Sequence, residues 1–214
     1  ISGYDREELS YLTRCRLVLM EARRNRSGGR SAKGLASAGD VIRMADTGFP
    51  RCAVDARLVS AEIHMSEGRY AEAREVLEDA ISSSRDHSFR DAEATALWML
   101  GEAASGEGQA AEGASLCREA AGILSARGLS IYDCYAVCAG VAEAAGASEE
   151  AIEYLTAALD EASSVYREKC PPRLRHYYLR AKQIPENVTR AEGLLTGSGR
   201  AAEAMEYRSK FPLQ

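Results

Sequence analysis

The side chains of this sequence that are best suited to metal binding or redox chemistry are those of six cysteines and three histidines. The cysteines are Cys15, Cys52, Cys117, Cys134, Cys138 and Cys170. Cys134 and Cys138 are four residues apart, so they share one face if the segment is helical. None of the cysteines forms a Cys-x-x-Cys pair, and no further metal ligands lie close to them in the sequence. We therefore predict no metal site, and we interpret the cysteines as small buried thiols of a protein in the reducing cytoplasm.

Motifs of nucleotide and hydrolytic chemistry are also missing from the sequence. There is no Gly-x-x-x-x-Gly-Lys-Ser/Thr phosphate loop and no His-Glu-x-x-His zinc motif. We interpret Gly197-Ser198-Gly199 as a turn and not as a nucleophile elbow, because no strand is predicted before it. The sequence predicts neither an enzyme nor a cofactor.

Charge is distributed unevenly along the chain. Residues 55–165 hold 21 acidic and 7 basic side chains, whereas the two flanking segments together hold 11 acidic and 20 basic ones. Such asymmetry favours a charged partner or charged neighbouring domains. No apolar run approaches the roughly 20 residues that span a bilayer, so we predict no membrane partner. Because the sequence begins with Ile1, we expect it to be a segment of a longer protein.

Apolar and small residues recur with helical periodicity along nearly the whole chain, and no long alternating pattern indicates a strand. Glycines at 68, 128 and 146 fall where helices should end, and prolines at 172 and 185 fall where helices should begin. The fold class is therefore predicted to be all-α. We predict helices over residues 5–25, 32–47, 51–66, 70–85, 89–104, 109–127, 130–145, 148–168, 172–183, 186–196 and 199–210.

One spacing of residues occurs three times. A glycine is followed by a small residue at the fifth position, an apolar residue at the ninth and alanine at the twelfth. The three sets are Gly68, Ala73, Leu77 and Ala80; Gly108, Gly113, Cys117 and Ala120; and Gly146, Ala151, Leu155 and Ala158. Self-similarity at a fixed period is typical of stacked helical units. It favours protein recognition over catalysis.

This spacing resembles the tetratricopeptide repeat (TPR) family. Small residues at Ala61, Gly101 and Ala139 lie seven positions before the three repeat glycines, which allows a partner helix to approach closely. The resemblance implies a right-handed superhelix, or α-solenoid, of antiparallel helix pairs. The glycine periods of 40 and 38 residues exceed the usual TPR unit of about 34 and resemble long-period arrays in large bacterial signalling proteins. We predict a single array over 1–214, with an atypical N-terminal pair over 1–50, three clear repeats over 51–165 and an irregular helical end over 166–214.

The resemblance further implies that the first helix of each repeat lines a concave, partner-binding face. In this register, the face holds Asp55, Leu58, Glu62, Met65, Thr95, Trp98, Glu102, Asp133, Ala136 and Glu143. Trp98 is the only tryptophan; it lies next to the usual packing position of the family, and a shift by one residue would bury it in the core. Both positions of Trp98 stay open at this point.

The partner is predicted to be a protein or peptide segment of basic or apolar character, because the face is acidic and lacks the lysines and asparagines that grip a C-terminal carboxylate in some family members. Two alternatives are a ligand- or peptide-sensing module of a bacterial signalling or transcription regulator, and a self-associating spacer that forms homo-oligomers. The basic, tyrosine-containing stretch over 167–182 is compatible with nucleic acid. We favour solvated charge and core packing for it.

Overall fold

The computed structural model of the chain describes residues 6–45 and 48–211. These residues form eleven α-helices and contain no strand. The helices are α1 (Arg6–Ser27), α2 (Ser31–Ala45), α3 (Pro50–Ser66), α4 (Tyr70–Asp86), α5 (Arg90–Gly106), α6 (Ala110–Arg127), α7 (Tyr132–Ala144), α8 (Ser148–Ser164), α9 (Arg175–Ala181), α10 (Ile184–Gly197) and α11 (Ala201–Ser209). The all-α prediction is confirmed. The first residue of the predicted helix 5–25 and the last two of 32–47 lie outside the described residues.

The end of α8 differs from the sequence prediction of one helix over 148–168. The helix continues after Ser164 as a π-helical turn over Val165–Lys169, closed by a hydrogen bond of 2.8 Å from the Cys170 amide to the Val165 carbonyl. Pro171 and Pro172 follow, and a residue before proline is pushed into extended backbone. The predicted helix over 172–183 is consequently a 3₁₀ turn, Pro172–Leu174, followed by the short α9.

Glycines end the helices at the repeat positions, as the sequence predicts. Gly68 has a φ of +71°, which an L side chain rarely adopts, and the amide of Arg69 after it donates to the His64 carbonyl over 3.0 Å. The same arrangement ends α7, where Gly146 has a φ of +75°. These turns let each helix fold back on the one before it.

The chain divides into two compact units, residues 1–109 and 110–214. In unit 1, α1 packs on α2, α3 packs on α2 and α4, and α4 packs on α5. In unit 2, α7 packs on α6 and α8, and α10 packs on α8 and α11. The small residues of the repeat are buried: Ala61, Ala73, Gly101, Gly113, Ala139 and Ala151. The single array over 1–214 stays a prediction.

Each unit has its own apolar core. The core of unit 1 joins α1, α2 and α3 through residues such as Leu19, Val41 and Ile63. The core of unit 2 joins α8, α10 and α11 through residues such as Leu155 and Leu195. None of the described helices is long and apolar enough to cross a membrane.

Candidate functional site

The predicted partner-binding residues of α3 lie on a half-buried face of unit 1. Asp55, Glu62 and Met65 are partly exposed, whereas Leu58 is 6% exposed and leaves little surface for a partner. Asp55 accepts a hydrogen bond of 3.1 Å from Nε of Arg51, one turn earlier on the same helix. This carboxylate therefore already has a cation beside it.

Glu62 also has cations beside it within unit 1. Its Oε2 accepts a hydrogen bond of 3.1 Å from Nη1 of Arg26 and lies 3.6 Å from Nε of Arg23. Both arginines come from the last turns of α1. These two arginines at the end of α1 thus neutralise part of the acidic face of α3.

Arg51 ties α3 to α5. Its two terminal nitrogens each donate to one carboxylate oxygen of Asp91 over 2.8 Å, a bidentate pair. Hydrogen bonding to Asp91 raises the pKa of Arg51, and the same contact lowers the pKa of Asp91. Thr95, one of the predicted face residues, donates through Oγ1 to the Asp91 carbonyl over 2.9 Å. The first turn of α5 is therefore fixed against α3.

Trp98 and Glu102 continue this face one and two turns after Thr95. Trp98 is partly exposed, whereas its neighbours Leu97 and Met99 are buried. Glu102 is also only partly exposed, and burial raises the pKa of its carboxyl. Within residues 6–45 and 48–211, Glu102 takes part in no hydrogen bond or ion pair. The carboxylate is thus partly desolvated and has no hydrogen-bonding or ionic partner among these residues, one helical turn from the partly exposed Trp98.

The predicted charged face residues of α7, in unit 2, pair with basic side chains from the C-terminal part of that unit. Asp133 accepts hydrogen bonds of 2.6 and 2.7 Å from Nζ of Lys182, and Glu143 pairs with Arg190. Nη1 of Arg190 also donates to the Ala136 carbonyl over 3.4 Å. These charges are satisfied within the unit, so they offer a partner less than Glu102 does.

Five of the six cysteines are buried free thiols, as the sequence predicts; Cys170 is also a free thiol but is partly exposed. Cys134 and Cys138 share a face of α7, with their sulfurs 3.6 Å apart, and Sγ of Cys138 lies 3.9 Å from the Cys117 carbonyl. Hydrogen bonding with Cys117 and Cys134, together with burial, raises the pKa of Cys138, which keeps it a thiol. No group of three or more His, Cys, Asp or Glu among the described residues could hold a metal ion.

Glu93 is an ionic residue that sequence reasoning missed. Its side chain is 2% exposed and accepts hydrogen bonds from Arg85 and Arg90. The Arg90–Glu93 spacing of three residues on a helix is the one sequence signal that could have indicated it. The contact from Arg85 crosses from α4 to α5 and has no such signal.

Consecutive helix pairs with small residues at their contacts define a helical-repeat protein. The family model for the tetratricopeptide repeat matches residues 54–87, which span α3, α4 and the turn at Gly68. The match falls at the place where the sequence spacing is clearest. No curated protein matches the chain by sequence.

Solved structures with TPR-like repeats share the fold. One is a crystal structure of Podosopora anserina putative kinesin light chain nearly identical TPR-like repeats, which is 19% identical, covers 92% of each chain and has a TM-score of 0.64. A form of that protein with one glutamine changed to methionine is 21% identical, covers 92% of this chain and 94% of that one, and has a TM-score of 0.65. A Rap protein complexed with competence and sporulation factor is 14% identical, with 95% of this chain and 64% of that chain covered and a TM-score of 0.65. The repeat and the fold support a protein–protein interaction scaffold.

Proposed function

We propose that the protein is an interaction module that binds a basic segment of a protein or peptide on the first helix of its second clear repeat. The contact surface, named here the α5 surface, consists of Thr95, Trp98 and Glu102. The observation that carries the proposal is the uncompensated carboxylate of Glu102 one turn from a partly exposed Trp98.

The charge of Glu102 and the ring of Trp98 together favour a partner that has a cationic side chain with an apolar stem. A lysine or arginine brought to Glu102 would supply the missing counter-charge, and its pairing would be strong because the carboxylate is already partly desolvated. The ring of Trp98 would hold the apolar stem of that cation or a neighbouring apolar side chain. Aromatic anchors of this kind supply much of the binding energy of protein interfaces.

The other acidic residues of the predicted face should contribute less to binding than Glu102, because they already have basic partners. Asp55 and Glu62 already have arginine partners, so a bound segment would have to compete with them. The same holds for Asp133 and Glu143 in unit 2. A Rap protein, which shares the fold, was solved in a complex, which supports a binding role for this fold but not a particular partner. Placement in a longer protein stays a prediction.

Trp98 provides a direct readout because it is the only tryptophan of the chain. The experiment titrates the protein with a lysine-rich peptide of about 15 residues that contains leucine but no tryptophan. We expect saturable binding with a shift of the Trp98 emission, and affinity that rises with pH as Glu102 ionises. The variant Glu102→Gln should lower the affinity about tenfold, and the matched exposed-residue variant Glu75→Gln should change it less than about twofold.

Equal affinities of the two variants would overturn the proposal, as would binding that leaves the Trp98 emission unchanged. Light scattering across a concentration series tests the rival self-associating spacer. Mass that rises with concentration, without any peptide binding, would replace the proposed function with that one.

A further inference from the structure

We infer a second docking surface in unit 2, at the irregular segment between α8 and α10, for an acidic peptide segment that carries apolar side chains. Its residues, named here the α9 surface, are Arg167, Lys169, Arg173, Leu174, Tyr177 and Arg180. It is independent of the α5 surface, which selects the opposite charge.

The local charge is strongly one-sided. Residues 166–181 contain five arginine or lysine side chains and a single acidic one, Glu168. In the part of the chain that the structure describes, the side chains of Arg167, Lys169, Arg173 and Arg180 form no ion pair. In contrast, Lys182 and Arg190 just after them are paired with Asp133 and Glu143. The cations of the α9 surface are therefore available to an anionic partner.

Two large apolar side chains are exposed among these cations. Leu174 is 45% exposed and Tyr177 is 69% exposed. They are three residues apart, and Arg180 follows after three more, so the three lie on one face of α9 and the turn before it. The next residue, Tyr178, is partly buried, and its hydroxyl donates to the Ala162 carbonyl over 3.5 Å. An exposed apolar pair within a basic rim is typical of a protein-binding patch.

The irregular backbone is held in place. Nη2 of Arg175 donates to the Arg167 carbonyl over 3.3 Å, and its guanidinium lies 5.0 Å from the centre of the Tyr166 ring. These contacts bring the π-helical turn beside the start of α9. The backbone at Arg167 is thereby held beside Arg175, although two prolines interrupt the helix between them.

The charge of the whole unit favours a peptide over nucleic acid. Unit 2 has 14 acidic and 12 basic side chains, so the unit as a whole is slightly acidic although residues 166–181 are strongly basic. The net negative charge of the unit disfavours a long polyanion, whereas a short acidic segment needs only the local basic charge. Leu174 also suits an apolar side chain better than a nucleobase.

The test is fluorescence anisotropy with a labelled peptide of about 12 residues, rich in aspartate and glutamate and carrying two leucines three positions apart. The double variant Arg173→Glu/Arg180→Glu should lower its affinity about tenfold or more, and Tyr177→Ser about fivefold. The matched controls in unit 2 are Arg127→Glu, an exposed arginine on α6, and Met205→Ser, whose methionine is 67% exposed. Both controls should stay within about twofold. Circular dichroism checks that each variant is folded.

Three results would overturn the inference: no saturable binding of the acidic peptide, equal losses in the control variants, or tighter binding of a single-stranded oligothymidylate of matched length. The third would assign the surface to nucleic acid, with a steep loss of affinity on added salt. A photo-crosslinkable form of the peptide tests the wild-type protein without substitutions. Crosslinks within residues 166–181 are expected, and crosslinks confined to other segments would contradict the α9 surface.

Discussion

Nε of Arg85, near the end of α4, donates a hydrogen bond of 2.8 Å to Oε1 of Glu93 in α5. Nη1 of Arg90 donates to the other oxygen of the same carboxylate over 2.7 Å. Burial alone would raise the pKa of Glu93, but hydrogen bonds from Arg85 and Arg90 outweigh it, so the pKa lies below its usual value. Glu93 thus joins α4, at the end of the segment 54–87 that matches the tetratricopeptide repeat model, to α5, the helix that carries the α5 surface.

The variant Glu93→Gln should lower the free energy of unfolding at neutral pH by about 1–3 kcal/mol, because an amide replaces one of the two acceptor oxygens and the charge is lost. Urea unfolding measures the change. Glu78→Gln is the control, since Glu78 is an exposed carboxylate on α4. Equal stabilities of the wild type and Glu93→Gln would contradict a stabilising role for the two arginine contacts.

The difference in stability between the wild type and Glu93→Gln should also depend on pH, in a direction that the lowered pKa of Glu93 fixes. A carboxyl whose pKa is lower in the folded state stabilises the fold fully above its unfolded value, near 4.5, and loses that stabilisation as the pH falls through the folded value. The stability gap between wild type and Glu93→Gln should therefore be constant at neutral pH and shrink below about pH 4.5. If the stability difference instead grows as the pH falls, burial outweighs the arginine contacts in setting the pKa of Glu93.

Ser88 connects α4 to α5 in a left-handed backbone conformation, with a φ of +58°. The equivalent turns at Gly68 and Gly108 have glycine, which has no Cβ to strain. We expect Ser88→Gly to raise the free energy of unfolding by about 0.5–1 kcal/mol. The control is Ser82→Gly, an exposed position inside α4, which should lower it by about 0.5 kcal/mol. If both substitutions destabilise the protein equally, Ser88 is not strained.

Gly106, the last residue of α5, lies against the ring of Tyr70 at the start of α4. A Cβ at Gly106 would come within 2.6–2.8 Å of three ring atoms, so the ring would have to move. Gly106→Ala should therefore destabilise the protein by about 1–3 kcal/mol in thermal unfolding. Gly122 on α6 has nothing within 4 Å of such a Cβ, and Gly122→Ala should be neutral or stabilising by up to about 1 kcal/mol. Stabilisation by both substitutions would contradict the close packing on Tyr70.

Local patterns predicted most of the helices of this fold. Periodicity and the glycines at 68 and 146 locate helices and turns because those signals act within a few residues. The π-helical turn after Ser164 was missed, since the two prolines indicate a break but not how the preceding helix ends. The spacing of small residues around Gly68 also led to the resemblance to the tetratricopeptide repeat family, whose model matches residues 54–87.

The candidate site was less accessible to sequence reasoning because its electrostatics depend on distant residues. Lys182 reaches Asp133 across 49 positions, and Arg190 reaches Glu143 across 47. No spacing rule predicts such pairs. Asp133 and Glu143 therefore looked equivalent to Glu102 in sequence, although Glu102 has no pairing partner within the described residues.

Glu102 should have the opposite effect on stability from Glu93, although both are glutamates of α5. Burial raises the pKa of Glu102, so the folded state holds its proton more tightly than the unfolded state does, and above the folded pKa the charge opposes folding. Glu102→Gln should therefore increase the free energy of unfolding at neutral pH by about 0.5 kcal/mol or more, while Glu93→Gln decreases it. The gain in stability should vanish below the usual glutamate pKa, because Glu102 is then neutral in both the folded and the unfolded state.

Parallel urea titrations of the Glu102→Gln and Glu93→Gln variants measure this contrast. A substitution that stabilises the free protein but weakens peptide binding would indicate that the Glu102 carboxylate is retained for recognition and not for folding. If Glu102→Gln instead destabilises the protein as Glu93→Gln does, the carboxylate has a structural partner, and the α5 surface loses the uncompensated charge on which its proposed specificity depends.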